Sequence, residues 1–346
     1  MIGLIDADLL ATKKKRFPNL ALMKISGYYK GRGEETRLVT NLDDALQCSR
    51  LFMSKVFTFN QDPEWSVALN DRIIRGGTGY SLQDAQPLDD EIEHCKPDYT
   101  LYASYAQNLK KQDADDFLYA GIGFTTRGCF RHCPFCVNAN KTRVERHSFV
   151  REFDDETRKY LVLLDDNIFG YSQWRDVFSE LQDAGKPFVF KQGLDMRLMS
   201  KEKAQELQRS KYKNDIYFAL DSLDYLQTFV EKATIFRAEC NKPVRAYVLA
   251  GYDDPGELGI ESAMTRIFTL TRFNILPYLM RYESCYQSPF DSLWSSIAAW
   301  CNQPAFFKKT TFAEFIIKRY RKRTHEQIKL ITKSSTLDYF NRRAFD

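Results

Sequence analysis

Three thiols stand close together at one point of the sequence: Cys129, Cys133 and Cys136, within Gly128-Cys129-Phe130-Arg131-His132-Cys133-Pro134-Phe135-Cys136. This spacing puts three soft ligands on one short loop, a donor set suited to an iron–sulfur cluster or to zinc. Three rather than four is what matters. Four cysteines close a cubane cluster coordinatively and suit it to electron transfer, whereas three leave one iron open to a substrate. A zinc site would need a fourth ligand, from His132 or His147, and the chain has no second Cys-x2-Cys half to complete a zinc knuckle. Cys48, Cys95, Cys240 and Cys301 show no spacing expected of a second cluster.

The elements that must position this loop are legible as alternating apolar runs. Strand-like segments occur at Leu118–Thr125, Tyr160–Leu164, Phe188–Phe190, Ile216–Leu220, Arg245–Leu249 and Ile275–Met280. The intervals Tyr171–Ala184, Lys201–Ser210, Ser222–Glu239 and Gly259–Phe273 have helix-like length and mixed apolar spacing. Alternating strands and helices predict a parallel sheet, and six such units fit a partial (β/α)6 barrel of the TIM type over residues 113–285. The cysteine loop follows the first strand, at the end where barrel proteins place functional residues. Upstream, Ile2–Leu10 and Arg50–Phe59 read as strands, and Ile73-Ile74 runs into Arg75-Gly76-Gly77-Thr78-Gly79, which together predict a Rossmann-like open α/β domain over residues 1–112. The polar stretch Lys111–Asp116 is expected to link the two domains. Residues 286–346 are expected to form a basic helical extension.

Cys-x3-Cys-x2-Cys with an aromatic residue, Phe135, before the last cysteine resembles the signature of the radical S-adenosylmethionine (SAM) superfamily. The resemblance implies a 4Fe–4S cluster whose open iron is chelated by the amino and carboxylate groups of SAM, and whose electron breaks the sulfonium C–S bond to give a 5′-deoxyadenosyl radical. It also implies an electron donor such as flavodoxin or ferredoxin. Asp165 and Asp166 end the second strand where the family receives the SAM ammonium, although its familiar Gly-Gly-Glu form is absent; the competing reading of Asp166-Asn167 is a helix cap. Lys191-Gln192-Gly193-Leu194-Asp195-Met196-Arg197 resembles a segment of the cobalamin-type members, with Gln192 facing the pocket and Arg197 pairing with the methionine carboxylate. Asp221 and Ser222 would reach a ribose hydroxyl, while Leu249 and Gly251 resemble the adenine-contacting strand and its turn. Cys285, soon after the sixth strand, could donate a hydrogen atom or carry a covalent intermediate; a buried structural thiol is the competing reading. The layout of residues 1–112 resembles the cobalamin-binding domain of one branch. The Asp-x-His-x-x-Gly ligand motif is missing, and His94 is the one histidine there. Cobalamin would direct the chemistry toward methyl transfer; without it, hydrogen abstraction leading to oxidation, rearrangement or group insertion stays open.

Composition bounds these readings. The 346 residues are 44% hydrophobic and 28% charged, an ordinary globular balance. No apolar run is long enough for a membrane span and no basic-then-apolar leader is visible, so a soluble cytoplasmic protein with reduced thiols is expected. Residues 306–346 carry eleven Lys or Arg against four Asp or Glu, leaving about −3 for the rest of a chain whose net charge is +4. The segment Lys318-Arg319-Tyr320-Arg321-Lys322-Arg323 mixes cations with an aromatic and could meet RNA or another polyanion, or simply be a solvated face. Two rival functions follow: a nucleic-acid-binding protein with a structural zinc or redox-sensing cluster, and a regulatory protein that binds SAM without turning it over.

Overall fold

A computed structural model of the chain describes residues 1–12, 17–81, 86–138, 140–319 and 321–345. The chain divides into two compact units: Met1–Asp165 with Arg175–Phe188, and Asp166–Trp174 with Val189–Asp346. This partition crosses the three segments expected from sequence, because it puts the first α/β domain and the cysteine loop in one unit.

The first unit is built on β1 (Ile2–Asp6), whose five residues are all buried; Ile2, Leu4 and Ile5 fill the core as a central parallel strand requires, and Asp6 closes the strand. β2 (Thr36–Leu38), β3 (Arg50–Ser54) and β4 (Ile73–Gly76) complete a parallel sheet in the order β2-β1-β3-β4. The helix Leu20–Gly31 starts at Asn19, whose side chain accepts from Leu22 N at 3.2 Å, and it buries Leu22, Met23, Ile25 and Tyr29 against Ile2 and Leu4. Chain order reverses between β1 and β3, the point at which open parallel sheets of this kind leave a crevice beyond their strand ends. The strand expected over Arg50–Phe59 stops at Ser54. The buried Asp8 carboxylate accepts from Val56 N at 2.7 Å and Asn60 Nδ2 at 2.8 Å, which turns the chain out of the sheet and leaves Phe57 and Phe59 stacked on the surface, 5.3 Å apart.

Lys111–Asp116 is not a linker but the polar start of the helix Lys111–Tyr119, which sends Ala114 and Phe117 into the same core. β5 (Ala120–Gly123) follows without a break. Two short strands, β6 (Thr126–Arg127) and β7 (Glu145–Arg146), form an antiparallel pair with Thr126 opposite Arg146. β8 (Tyr160–Leu163) pairs in parallel with β5, with β9 (Phe188–Phe190) on its other edge.

The second unit carries the parallel sheet β10 (Ile216–Ala219), β11 (Val244–Ala250) and β12 (Leu276–Arg281), and Leu194 adds a parallel bridge to Phe218. The helices Lys201–Arg209, Leu226–Glu239 and Glu257–Thr271 alternate with these strands, as the sequence predicted. Along β11, Val244, Ala246, Val248 and Ala250 point into the core. Residues beyond β12 are helical, with Trp294, Trp300, Phe312 and Phe315 among the largest buried side chains. The whole is a mixed α/β fold with parallel sheets. Among the described residues, no helix is long and apolar enough to cross a membrane.

Candidate active site

Within the first unit the cysteine loop begins after Thr125-Thr126-Arg127 and ends at Glu145-Arg146-His147, so the β6–β7 ladder is its stem. Gly128, the first residue past the stem, has φ +97°, and a Cβ there would lie 2.2 Å from the Arg143 carbonyl oxygen; only glycine fits. His132 adopts the left-handed region at φ +50°, which curls the backbone between Cys129 and Cys133. The Cys136 amide then donates to the Cys133 carbonyl at 2.9 Å, closing a tight turn over Pro134 and Phe135.

Cys129, Cys133 and Cys136 are half-buried and unlinked, and Phe135 between the last two is half-buried as well. The Asn138 amide lies 3.4 Å from Cys136 Sγ, the kind of N–H···S contact that tunes cluster sulfur ligands. Among the described residues, no three His, Cys, Asp or Glu side chains converge closely enough to hold a single metal ion. His147 is already engaged: its Nε2 lies 3.2 Å from the Glu93 carboxylate and its Nδ1 3.0 Å from Ser148 Oγ. What the loop offers by chemistry is three soft thiols carried on one short curled segment, the donor type of an iron–sulfur cluster.

Asp165 was expected to meet the SAM ammonium, but the structure gives it an inward role. It is 1% exposed, and its oxygens accept from Thr125 N at 3.1 Å, Thr125 Oγ1 at 2.5 Å, Thr126 N at 2.6 Å and Thr126 Oγ1 at 2.7 Å. Burial pushes this carboxyl up from its ordinary range, against those four hydrogen bonds. The sequence read an acid at a strand end as a ligand; it is the root of the loop stem. Glu180, on the helix Trp174–Asp183, makes a second anchor: both of its carboxylate oxygens accept from Arg146 Nη2, at 2.6 and 2.7 Å. Nothing in the sequence signals that partner.

The remaining expected residues fall in the second unit. Asp166 is half-buried, and Gln192 is exposed beside the buried, positive-φ Gly193. Arg197 is locked to Asp195 by bonds of 2.7 and 3.2 Å and lies 4.5 Å over the Tyr225 ring. Tyr225 hydroxyl accepts from the Asp221 amide at 2.5 Å, and Asp221 Oδ1 accepts from the Leu249 amide at 2.9 Å. Arg197, Asp221 and Leu249 are thus joined at the strand ends of this unit, and burial raises the Asp221 carboxyl. Arg266, which sequence reasoning missed, donates to the carbonyls of Leu220, Asp221 and Leu249 at 3.1, 2.8 and 2.8 Å. Its signal was an arginine among Ala263, Met264, Ile267 and Phe268 on an otherwise buried helix face. Ser222 instead turns to Asp224 at 2.8 Å.

Cys285 does not stand at an open mouth. It is 1% exposed, donates to the Ala250 carbonyl at 3.3 Å, and burial pushes its thiol up to about 11, so it packs as a structural residue beneath Gly251. Gly251 has φ +77°, and a Cβ there would lie 2.3 Å from Cys285 Sγ. Gly251→Ala is expected to destabilise the fold by roughly 2–4 kcal/mol, from overpacking and the strained φ together. Adding Cys285→Ala should recover part of that loss but not the φ strain, which thermal unfolding of the double variant would show. Equal midpoints for the single and double variants would refute the contact.

In the basic extension Arg319 lies 4.7 Å over the Phe306 ring, Arg321 donates to Ser296 Oγ at 3.1 Å, and Arg323 pairs with Asp291 at 2.9 Å. Tyr320 lies outside the described residues. Part of this cationic segment is thus engaged in packing its own helices.

No family model matches the sequence, and no curated protein matches it either. Among solved structures, the chain is similar to the radical S-adenosylmethionine methyltransferase TsrM from Kitasatospora setae with a tryptophan substrate and a SAM analogue bound. The TM-score is 0.56 at 10% identity, over 80% of this chain and 72% of that one. The same enzyme with cobalamin and a 4Fe–4S cluster gives 0.54 at 9% identity, over 81% and 71%. At these identities the likeness is one of fold: the chain shares the mixed α/β, parallel-sheet architecture of a radical SAM methyltransferase.

Proposed function

We propose that this chain is a radical SAM enzyme that cleaves SAM reductively to a 5′-deoxyadenosyl radical. The observation that carries the reading is the curled three-cysteine loop rooted after β5, in a fold shared with TsrM. By sequence segment, the proposed organisation is an α/β domain over 1–112, a partial barrel over 113–285 and a helical extension over 286–346, segments that the two compact units cut across. Cys129, Cys133 and Cys136 would hold a 4Fe–4S cluster, which supplies the electron that breaks the C–S bond of SAM. Arg197, Asp221 and Leu249 would offer charge, hydrogen bonds and apolar surface for SAM. A one-electron donor of the flavodoxin or ferredoxin kind is the expected partner.

The β2-β1-β3-β4 order, with Phe57 and Phe59 bare beyond β3, supports cobalamin as a further cofactor and methyl transfer as the reaction. His94 would not ligate it, because its Nδ1 lies 2.9 Å from Glu152 Oε2 and its ring stacks on His147. The test is anaerobic reconstitution with iron and sulfide, then dithionite and SAM. A brown, oxygen-labile protein with about four irons per chain that releases 5′-deoxyadenosine bears the proposal out. A colourless protein holding one zinc would overturn it.

A further inference from the structure

Both ends of the cysteine loop finish on one carboxylate that lies far away in sequence. Glu93, at the end of the short helix Asp90–Glu93, accepts from Arg127 Nη2 at 3.0 Å and lies 3.2 Å from His147 Nε2. Arg127 immediately precedes Gly128-Cys129, and His147 immediately follows β7. Glu93 also accepts from Lys24 Nζ at 2.8 Å, and Lys24 is 4% exposed on the helix Leu20–Gly31. Burial alone would raise Glu93, but the hydrogen bond from His147 and the charges of Lys24 and Arg127 hold it at about 2. The next residue continues the grip: the His94 ring stacks on His147 with centroids 5.2 Å apart.

Such a cluster is a poor way to gain stability, since taking a lysine and a glutamate out of water offsets most of their attraction. What it does supply is a fixed distance between two chain segments. We infer that Glu93 is a positioning residue for the cysteine loop, binding Arg127 and His147 so that the stem keeps the three thiols in register before any cluster is present. It rests on the proposed reading for its catalytic meaning, and it deepens that reading by giving the α/β domain a mechanical part in the loop's geometry.

Arg127→Met removes the guanidinium that bonds Glu93 and lies 3.9 Å over the Phe124 ring, while leaving the Lys24–Glu93 pair intact; a second, paired variant leaves that ring contact in place. Lys24→Met combined with Glu93→Gln removes the buried pair without stranding either charge. Two readouts are needed. In the cluster-free protein, hydrogen exchange over residues 128–146 should quicken in both variants while exchange in β1 and β3 stays at the wild-type rate. After reconstitution, iron retained through desalting and the electron paramagnetic resonance line shape of the reduced cluster should change, with binding weakened about 10–100-fold as for other outer partners of metal ligands. Arg127→Lys should recover part of both. Wild-type exchange, iron retention and line shape in both variants would overturn the inference. A wild type that takes up no iron, with loop exchange still quickened in Arg127→Met, would uphold the staple and sink the enzyme reading instead.

Discussion

Cys133→Ala is expected to abolish cluster retention and 5′-deoxyadenosine formation while leaving the cluster-free chain folded. The two halves of that expectation come from different observations. Cys133 is half-buried on a loop whose stem is held by bonds of Thr126 to Asp165, Arg127 to Glu93 and Arg146 to Glu180. Its side chain adds little to the core, so the apo-protein's thermal midpoint should move by no more than a few degrees, as for surface substitutions generally. Chemically its loss is severe. Two cysteines from one loop leave two irons of a cubane without protein ligands, and such a cluster has no fixed open position at which to receive a substrate. Cys129→Ala and Cys136→Ala should behave alike, and Cys285→Ala should not: that thiol is buried against Ala250 and Gly251, so its loss should lower stability by about 1–2 kcal/mol and leave SAM cleavage intact. Iron content, absorbance and product formation measured on all four variants separate the two classes. Full SAM cleavage by Cys133→Ala would remove the loop from the chemistry.

The comparison between Cys133 and Cys285 also marks where sequence reading reached. Spacing singled out the loop thiols because three cysteines close along the chain are the pattern that cluster ligation asks for. A lone cysteine carries no such signal, and its burial depends on β11 and on the Gly251 turn. The strands β5 and β8 to β12 were legible for a similar reason: apolar runs of strand length separated by helix-sized intervals are local features. The helix Lys111–Tyr119 was misread as a linker because its first turn is polar and its core contacts, Ala114 and Phe117, are spaced too sparsely to reveal a period. β6 and β7 have two residues each and thus no periodicity. They exist because Asp165, Glu93 and Glu180 hold their residues from 34 to 40 positions away. Carboxylates of this kind are read from sequence as ligands or caps, since the donors that occupy them appear only after folding.

Asp165 gives that point its largest expected consequence. In Asp165→Ala, the amides and hydroxyls of Thr125 and Thr126 lose a common acceptor in a place closed to water, both threonines being 0% exposed. The hydroxyls can turn toward other acceptors, whereas the amides cannot, so a loss of about 3–5 kcal/mol is expected. For a protein of this size that corresponds to a fall of roughly 4–7 °C in the thermal midpoint. Asp165→Asn should lose less. Burial already works against the charge on this carboxyl, an asparagine oxygen still accepts from the two amides, and its NH2 can donate to a threonine hydroxyl that has rotated. The expected order of stability is wild type, then Asn, then Ala, with iron retention falling in the same order because the stem leads directly to Cys129. A contact with SAM as the residue's main role would give the opposite pattern: near-native midpoints and iron content in both variants, with the defect confined to SAM affinity. Thermal unfolding, iron analysis and SAM binding on the same three proteins therefore decide between an anchor beneath the loop and a ligand above it.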